Sequence, residues 1–313
     1  MSLHNGPSLD SEPVYPNFAW SDDDFETVAR LNSSVDKVKN KATSKIMLRK
    51  TFTTREELMK VVIPEISMVC SGHINFTSFY GAYLPPSGEP EISLLTEYCE
   101  GGNLEDIGNR LKQRHVILGE RIGEKIAGRL AEGILQGLAY LHSKETMHRD
   151  IKPSNILLSS KGIVKLCEFG VSSLRNWLKS GECRFDPTDY AFSYMAPEKI
   201  VGEKYTIRAD VWSTGLTLLE LAQQRFPYPA DLPPIELMMY ITADEPPQLE
   251  DEPGLNWSDE MKDFIKQTLT VDSQTRPMPG DLLAHPWVVN CMKQEVDMER
   301  WIRQILYYHG QQD

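Results

Sequence analysis

The sequence predicts an α+β protein, with strands in its first part and helices after. Three observations carry that expectation. Strand-like segments crowd the first hundred residues. Apolar residues recur at helical spacing from about residue 103 onward. The 313 residues are 41% hydrophobic and 25% charged, ordinary for a globular chain with a sizeable core. A strand-rich block followed by a helix-rich block is the α+β pattern.

The elements follow in chain order. Residues 1–20 are polar and contain Pro7, Pro13 and Pro16, which predicts a flexible leader. Thr27 to Leu31, Ser34 to Lys39 and Lys45 to Phe52 are strand-like. Leu58, Val61, Val62, Ile66 and Val69 give helical spacing across Thr54 to Val69, and Pro64 should kink or end that helix. Phe76 to Leu84 and Glu91 to Tyr98 read as two more strands, joined by Pro85-Pro86-Ser87-Gly88. Leu130, Ile134, Leu138 and Leu141 mark one face of a long helix ending near His142. Ile156 to Leu158 and Ile163 to Leu166 predict a short hairpin around Ser160-Lys161-Gly162. From 208 to 306 the pattern is mostly helical, broken by the proline-rich stretch 227–234. No internal repeat is visible.

Composition narrows the partners. The net charge is −12 and no long basic run occurs, which argues against nucleic acid and anionic membrane. The cysteines (Cys70, Cys99, Cys167, Cys183, Cys291) are odd in number and scattered, with no CxxC pair. Neither a zinc site nor a disulfide framework is indicated. No apolar run is long enough for a membrane span, and no charged-then-apolar signal opens the chain. A cytoplasmic protein is the default expectation.

The run His148-Arg149-Asp150-Ile151-Lys152-Pro153-Ser154-Asn155 carries most of the chemical information. After it come Lys165-Leu166-Cys167-Glu168-Phe169-Gly170, Tyr194-Met195-Ala196-Pro197-Glu198, Asp210-Val211-Trp212-Ser213 and Arg276. Five such motifs in this order resemble a protein kinase over about 24–290. The resemblance implies a bilobal protein-kinase fold. A small β-rich lobe would span about 21–98, a helical lobe about 99–290, and a helical extension 291–313. Leu166-Cys167-x-Phe169-Gly170-Val171-Ser172, Ser193 to Glu198 and Ile46-Met47-x-Arg49-Lys50 resemble MAP kinase kinases. The tract Gln224 to Ala230 resembles the fungal cell-wall-integrity branch of that family.

The resemblance also implies roles. Asp150 would orient the substrate hydroxyl as base, Lys152 would partner the transferred phosphate, and Asn155 would hold a metal ion. Lys50 would hold the α and β phosphates of ATP, and Glu65 would pair with it. Val35 and Leu48 would lie against the nucleotide, Thr96 would be the gatekeeper, and Glu97 to Cys99 the hinge that bonds adenine. Glu168 would join Asn155 at magnesium. The bland alternatives are an exposed strand lysine at 50 and a surface glutamate at 65. Glu198 would pair with Arg276, and Asp210 would brace the catalytic loop. Those three speak for fold, not activity.

Five departures set the chain apart. No glycine occurs between Gly6 and Gly72, although the phosphate-covering loop should fall near 28–35. Leu48 stands where the family has alanine above the adenine. It either fills space, where overpacking costs about 1–3 kcal/mol, or the strand shifts. Glu168 replaces the metal-binding aspartate of Asp-Phe-Gly. Magnesium demands near-octahedral geometry, and a misplacement of about 1 Å can cost roughly a hundredfold in rate. Counting back from Met195, the two family phosphorylation positions fall on Cys183 and Pro187, with Thr188 beside them. The family Gly-Thr falls on Tyr190 and Ala191, which removes a hydroxyl that normally bonds the catalytic aspartate. Lastly, no lysine or arginine precedes Arg30, where the family has a basic cluster for docking MAP kinases. The end of the chain does resemble the family's docking extension for upstream kinases, through Trp287, Val288, Val296, Met298, Trp301, Ile302, Ile305 and Leu306. The plainer reading is a helix that packs on the large lobe.

Three functions stay open on these residues. One is a pseudokinase or strongly impaired kinase that works by binding a MAP kinase and a MAP kinase kinase kinase. The second is an active dual-specificity (Ser/Thr/Tyr) kinase that transfers the ATP γ-phosphate to a MAP kinase. The third is a nucleotide-binding switch.

Overall fold

The computed structural model describes residues 20–53, 72–85, 91–118, 121–167, 190–229, 231–243 and 245–306. These form two compact units, 20–53 with 78–98, and 72–77 with 99–306. The expected leader, the expected helix Thr54 to Val69 with Glu65, and Glu168, Cys183, Pro187 and Thr188 lie outside the described residues.

The first unit is an antiparallel sheet of β1 (Phe25–Arg30), β2 (Val35–Asn40), β3 (Ile46–Thr53), β4 (Phe79–Tyr83) and β5 (Glu91–Glu97), in the order β1-β2-β3-β5-β4. Strand periodicity sorts its side chains. On β2, Asp36, Val38 and Asn40 are buried, while Val35, Lys37 and Lys39 are half-buried on the other face. Phe25, Val38, Met47, Tyr83 and Leu95 form the core of the buried face, with Trp20 and Tyr80 packed against it. Phe25 stacks on Tyr83 at 5.9 Å, and Trp20 meets Phe25 edge-on at 5.6 Å.

Arg49 pins this face. Its guanidinium donates to Asp22 (3.0 Å), Tyr83 (3.2 Å), Thr27 (3.2 Å) and Asp36 (2.8 Å). Tyr83 in turn donates to Asp22 at 2.7 Å. Burial alone would lower the Arg49 pKa, but the bonds to Asp36 and Tyr83 carry it above the ordinary value. One arginine thus ties β3 to β2, to β4 and to the segment before β1. A one-residue slip would put Arg49 on the opposite face, so the network also fixes register.

The second unit is mostly helical. It holds α1 (Leu104–Leu118), α2 (Glu124–Ser143), α3 (Pro197–Ile200), α4 (Arg208–Gln223), α5 (Pro234–Ala243), α6 (Asp259–Thr268), α7 (Pro279–Leu283), α8 (Pro286–Met292) and α9 (Met298–Leu306). A short hairpin, β6 (Ile156–Leu158) with β7 (Val164–Leu166), sits where the sequence predicts it. Leu130, Ile134, Leu138 and Leu141 of α2 are all fully buried. The helix ends in a paired C-cap: Glu145 N–H bonds His142 O (2.9 Å) and Thr146 N–H bonds Leu141 O (3.1 Å). Glu145 takes a left-handed φ of 54° there, a position that favours glycine.

The helix α4 is buried almost throughout, as a central helix should be. Its Gly215 lies so close to α6 that a Cβ would stand 2.2 Å from Thr268 Oγ1. The buried ion pair of Arg276 with Glu198 closes the same region, with bonds of 2.7 and 3.0 Å. Arg276 also donates to the carbonyls of Thr270, Arg208 and Val271. All five guanidinium protons therefore have acceptors, the condition under which a buried pair is tolerated.

One element differs from expectation, and another follows the plainer of its two readings. The strand expected from Phe76 begins at Phe79, because residues 75–77 pair elsewhere. Leu166 N–H bonds Asn75 O (2.8 Å) and Thr77 N–H bonds Leu166 O (3.0 Å), so β7 takes their backbone groups. The apolar stripe of α9 is used in packing, with Ile302 and Ile305 buried. Arg110 and Arg114 of α1 donate to Leu306 O (3.3 Å) and Gln304 O (2.7 Å) at its end, where cations suit the helix dipole. Among the described residues no helix is long and apolar enough to cross a membrane.

Two stability outcomes follow. Arg276→Met should cost about 3–5 kcal/mol in urea denaturation by leaving Glu198 buried and alone; a loss below about 1 kcal/mol would contradict the pair's role. Glu145→Gly should gain up to about 1 kcal/mol, since it removes left-handed strain at an exposed cap; a loss would show that Glu145 has another task.

Candidate functional site

The candidate catalytic residues lie in the second unit, between α2 and the β6–β7 hairpin. Pro153 to Asn155 form a single 3₁₀ turn that leads into β6. Asp210, at the start of α4, accepts His148 N–H (2.7 Å) and Arg149 N–H (2.8 Å) with its two carboxylate oxygens. Burial pushes the Asp210 pKa up, and His148, the two amides and Lys199 oppose that shift. Arg149 adopts a left-handed φ of 72°, unusual for a bulky residue. Its carbonyl accepts Lys199 Nζ at 2.9 Å.

This frame fixes Asp150. Asn155 Nδ2 donates to the Asp150 carboxylate (2.7 Å) and to its carbonyl (2.9 Å). Lys152 Nζ lies 3.4 Å from the other carboxylate oxygen. The three candidate catalytic residues are thus brought together, with the Asp150 carboxylate held from both sides. With Nδ2 directed at Asp150, Oδ1 is the Asn155 atom suited to a hard cation such as magnesium. That fits a metal-ligand role, in which the ion would neutralise phosphate charge. Cys167 N–H bonds Asn155 O (3.0 Å), so the chain leaves the hairpin beside Asn155. The second metal candidate, Glu168, lies outside the described residues.

The first unit carries four of the candidate nucleotide contacts on one face, while Glu97, opposite Met47, lies on the other. The ladder pairs Val35 with Lys50, and Lys37 with Leu48. It also pairs Leu48 with Thr96, and Lys50 with Leu94. Directly opposed residues share a face, so Val35, Leu48, Lys50 and Thr96 lie together. The face opposite bears Arg49 and Met47. Leu48 sits in unbroken register on both sides. A shifted strand is therefore not how the leucine is accommodated, and its side chain stands on the shared face. Lys37, on that face as well, places its ammonium 4.2 Å from the centre of the Tyr98 ring. Glu97 bonds Ser78 through backbone (2.9 Å) and through its carboxylate (3.1 Å to Ser78 N). Cys99 belongs to the other unit, where it is buried and accepts Gly102 N–H at 3.2 Å.

The loop between β1 and β2 departs most from a phosphate cradle. The ladder runs to Arg30 opposite Asp36, directly before the turn. Leu31 N–H (2.9 Å) and Asn32 N–H (3.2 Å) both bond Val35 O. Ser34 N–H bonds Asn32 Oδ1 at 2.9 Å, and Ser34 O accepts Thr51 N–H at 2.9 Å. No residue of this loop has positive φ. The amides of Leu31, Asn32 and Ser34 are thus engaged within the turn. Sequence reading marked the missing glycines but not the roles of Asn32, Ser34 or Lys199. The Asn-x-Ser spacing is the one signal that could have found the loop closure.

Comparison with known proteins agrees with the fold. The family model for the protein kinase domain matches residues 31–288. The chain is 44% identical over 287 residues to mitogen-activated protein kinase kinase mkk1 of Cytospora mali, covering 87% of this chain and 52% of that protein. It is 41% identical over 283 residues to MAP kinase kinase skh1/pek1 of Schizosaccharomyces pombe, covering 88% and 75%. It is 40% identical over 280 residues to MAP kinase kinase MKK1/SSP32 of Saccharomyces cerevisiae, covering 86% and 53%. The chain spans about half the length of the first and third of these relatives. With the β-rich and helical units, these matches establish a bilobal protein-kinase fold, and the chain belongs to the protein kinases and, within them, to the MAP kinase kinase family.

Proposed function

We propose that this MAP kinase kinase relative is a strongly impaired kinase, or a pseudokinase, that works in a MAP kinase cascade by binding. Its partners would be a MAP kinase downstream and a MAP kinase kinase kinase upstream, in the cytoplasm. The observation that carries the reading is the β1–β2 loop, whose amides at Leu31, Asn32 and Ser34 are bonded within the loop. Phosphoryl transfer depends almost entirely on positioning and charge stabilisation, so a loop that withholds its amides removes part of the catalyst. Leu48 on the shared face and Glu168 at the metal position support the same reading.

The second reading, an active dual-specificity kinase, has a specific observation in its favour. Asp150 is held by Lys152 and Asn155, and the loop beneath it by Asp210. A general base needs its position set before its pKa matters. The large-unit candidates Asp150, Lys152 and Asn155 therefore remain the residues through which any transfer would run, with Lys50 on the ATP phosphates and Asn155 and Glu168 on magnesium.

The test is transfer of labelled γ-phosphate from ATP to a purified MAP kinase, with Asp150→Ala as control. The impaired-kinase reading expects a rate indistinguishable from that control, or at least a hundredfold below an active family member, roughly the penalty of one misplaced group. Asp150-dependent transfer at the active member's rate would sink it. Glu168→Asp should raise any residual transfer by about tenfold or more if metal geometry is limiting. No gain in a protein that binds ATP would count against that cause.

A further inference from the structure

We propose that Asn32 is a specificity-determining residue: inside the β1–β2 loop its side-chain oxygen takes the place of a nucleotide phosphate oxygen, so a nucleoside binds here as well as a nucleoside triphosphate does. The proposal rests on the reading above of 28–35 as the phosphate-covering segment, and deepens it.

Two donors converge on Asn32 Oδ1: Ser34 N–H at 2.9 Å and Ser34 Oγ at 3.3 Å. A backbone amide and a hydroxyl aimed at one oxygen are the donor set an oxyanion uses in such a turn. Here the oxygen comes from the chain itself. The rest of the loop leaves no slack to re-aim those donors. Val35 O holds Leu31 N–H and Asn32 N–H, and Thr51 N–H holds Ser34 O. Arg30 Nε, at the end of β1, lies 3.3 Å from Asp36 across the hairpin. Opening this turn into an arch over phosphate would need left-handed positions, and the loop has neither positive φ nor glycine.

The face beside the loop is built differently. Val35, Leu48 and Thr96 offer apolar surface and one hydroxyl, which suit a base. Lys50 is the candidate contact there that offers a positive charge to a phosphate, and Lys37 on the same face holds its ammonium over the Tyr98 ring. Ligand affinity in this unit should therefore follow the base and be nearly indifferent to the phosphates. Both Asn32 and Ser33 are exposed, so substitution at 32 leaves the buried face of the sheet intact.

The experiment is calorimetric titration of the full chain with adenosine and with ATP, both in EDTA. In the wild type the two dissociation constants should agree within about threefold. Asn32→Gly frees the Ser34 amide and permits left-handed geometry, and should shift the ratio toward ATP by about tenfold. Asn32→Asp keeps the acceptor and adds negative charge, and should not shift it toward ATP. Because both ligands share the base, a merely structural effect would move both constants together and leave the ratio alone. ATP binding more than about tenfold tighter than adenosine in the wild type would overturn the proposal, as would an unmoved ratio in Asn32→Gly. Should Leu48 keep both ligands out, the ratios are read in the Leu48→Ala background, and absence of adenosine binding there also overturns it. Asp150-dependent phosphoryl transfer is scored separately: it would remove the impaired-kinase reading, whereas the ligand ratio decides the role of Asn32.

Discussion

The Asp210 carboxylate is the interaction on which the candidate catalytic loop depends. It reaches from the first turn of a buried helix to two successive backbone amides, at 2.7 and 2.8 Å. Those bonds hold Arg149 in left-handed geometry, which costs about 1–2 kcal/mol for a side-chain-bearing residue. Hydrogen bonds to a charged group contribute about 1.5–3 kcal/mol each. Two of them outweigh the strain, so the loop is held in a shape it would not adopt alone. Everything downstream follows from that shape. The Arg149 carbonyl turns to Lys199, and Asp150 is presented to Lys152 and Asn155. The upward push on the Asp210 pKa shows that burial opposes this anchor even as the bonds favour it.

The small unit follows a different logic. Arg49 ties one face of its sheet together through Asp22, Thr27, Asp36 and Tyr83. The opposite face collects Val35, Leu48, Lys50 and Thr96 by strict alternation. That face keeps its lysine, but the adjoining loop has closed on itself. Nothing about closure destabilises the sheet. A hairpin whose ladder runs to the turn is a better hairpin than an open glycine arch, because every added pair satisfies backbone groups and glycine carries an entropy cost. Stability of the sheet and binding of phosphate make opposing demands on the same amides, and here the sheet has them.

Much of this was legible in the sequence, and the rest was not for physical reasons. Strand positions came within a residue or two because alternation is a local signal. The late start of β4 was missed because Asn75 to Thr77 are claimed by Leu166, a partner about ninety residues away that periodicity does not reveal. Glu198 with Arg276, and Asp210 beneath the catalytic loop, were expected from motifs and are observed. The apolar stripe of α9 was visible, but not the surface that covers it, since Arg110 and Arg114 lie some 190 residues earlier. The absence of glycine at 28–35 announced a changed loop. It did not announce that Asn32 would fill the change with its own oxygen, because a side chain's choice between solvent and its neighbour's amide is decided by turn geometry.

On the proposed reading, the large unit keeps its candidate catalytic frame while the small unit has given up its grip on phosphate. Thermal melting of the purified full chain, with and without millimolar ATP, in magnesium and then in EDTA, tests it most directly. A ligand at 100 times its dissociation constant stabilises the folded state by about 2.7 kcal/mol, a shift easily read. The account predicts that magnesium adds nothing to whatever shift ATP causes. A clear rise that requires magnesium would mean that the phosphates are gripped after all, and would contradict it.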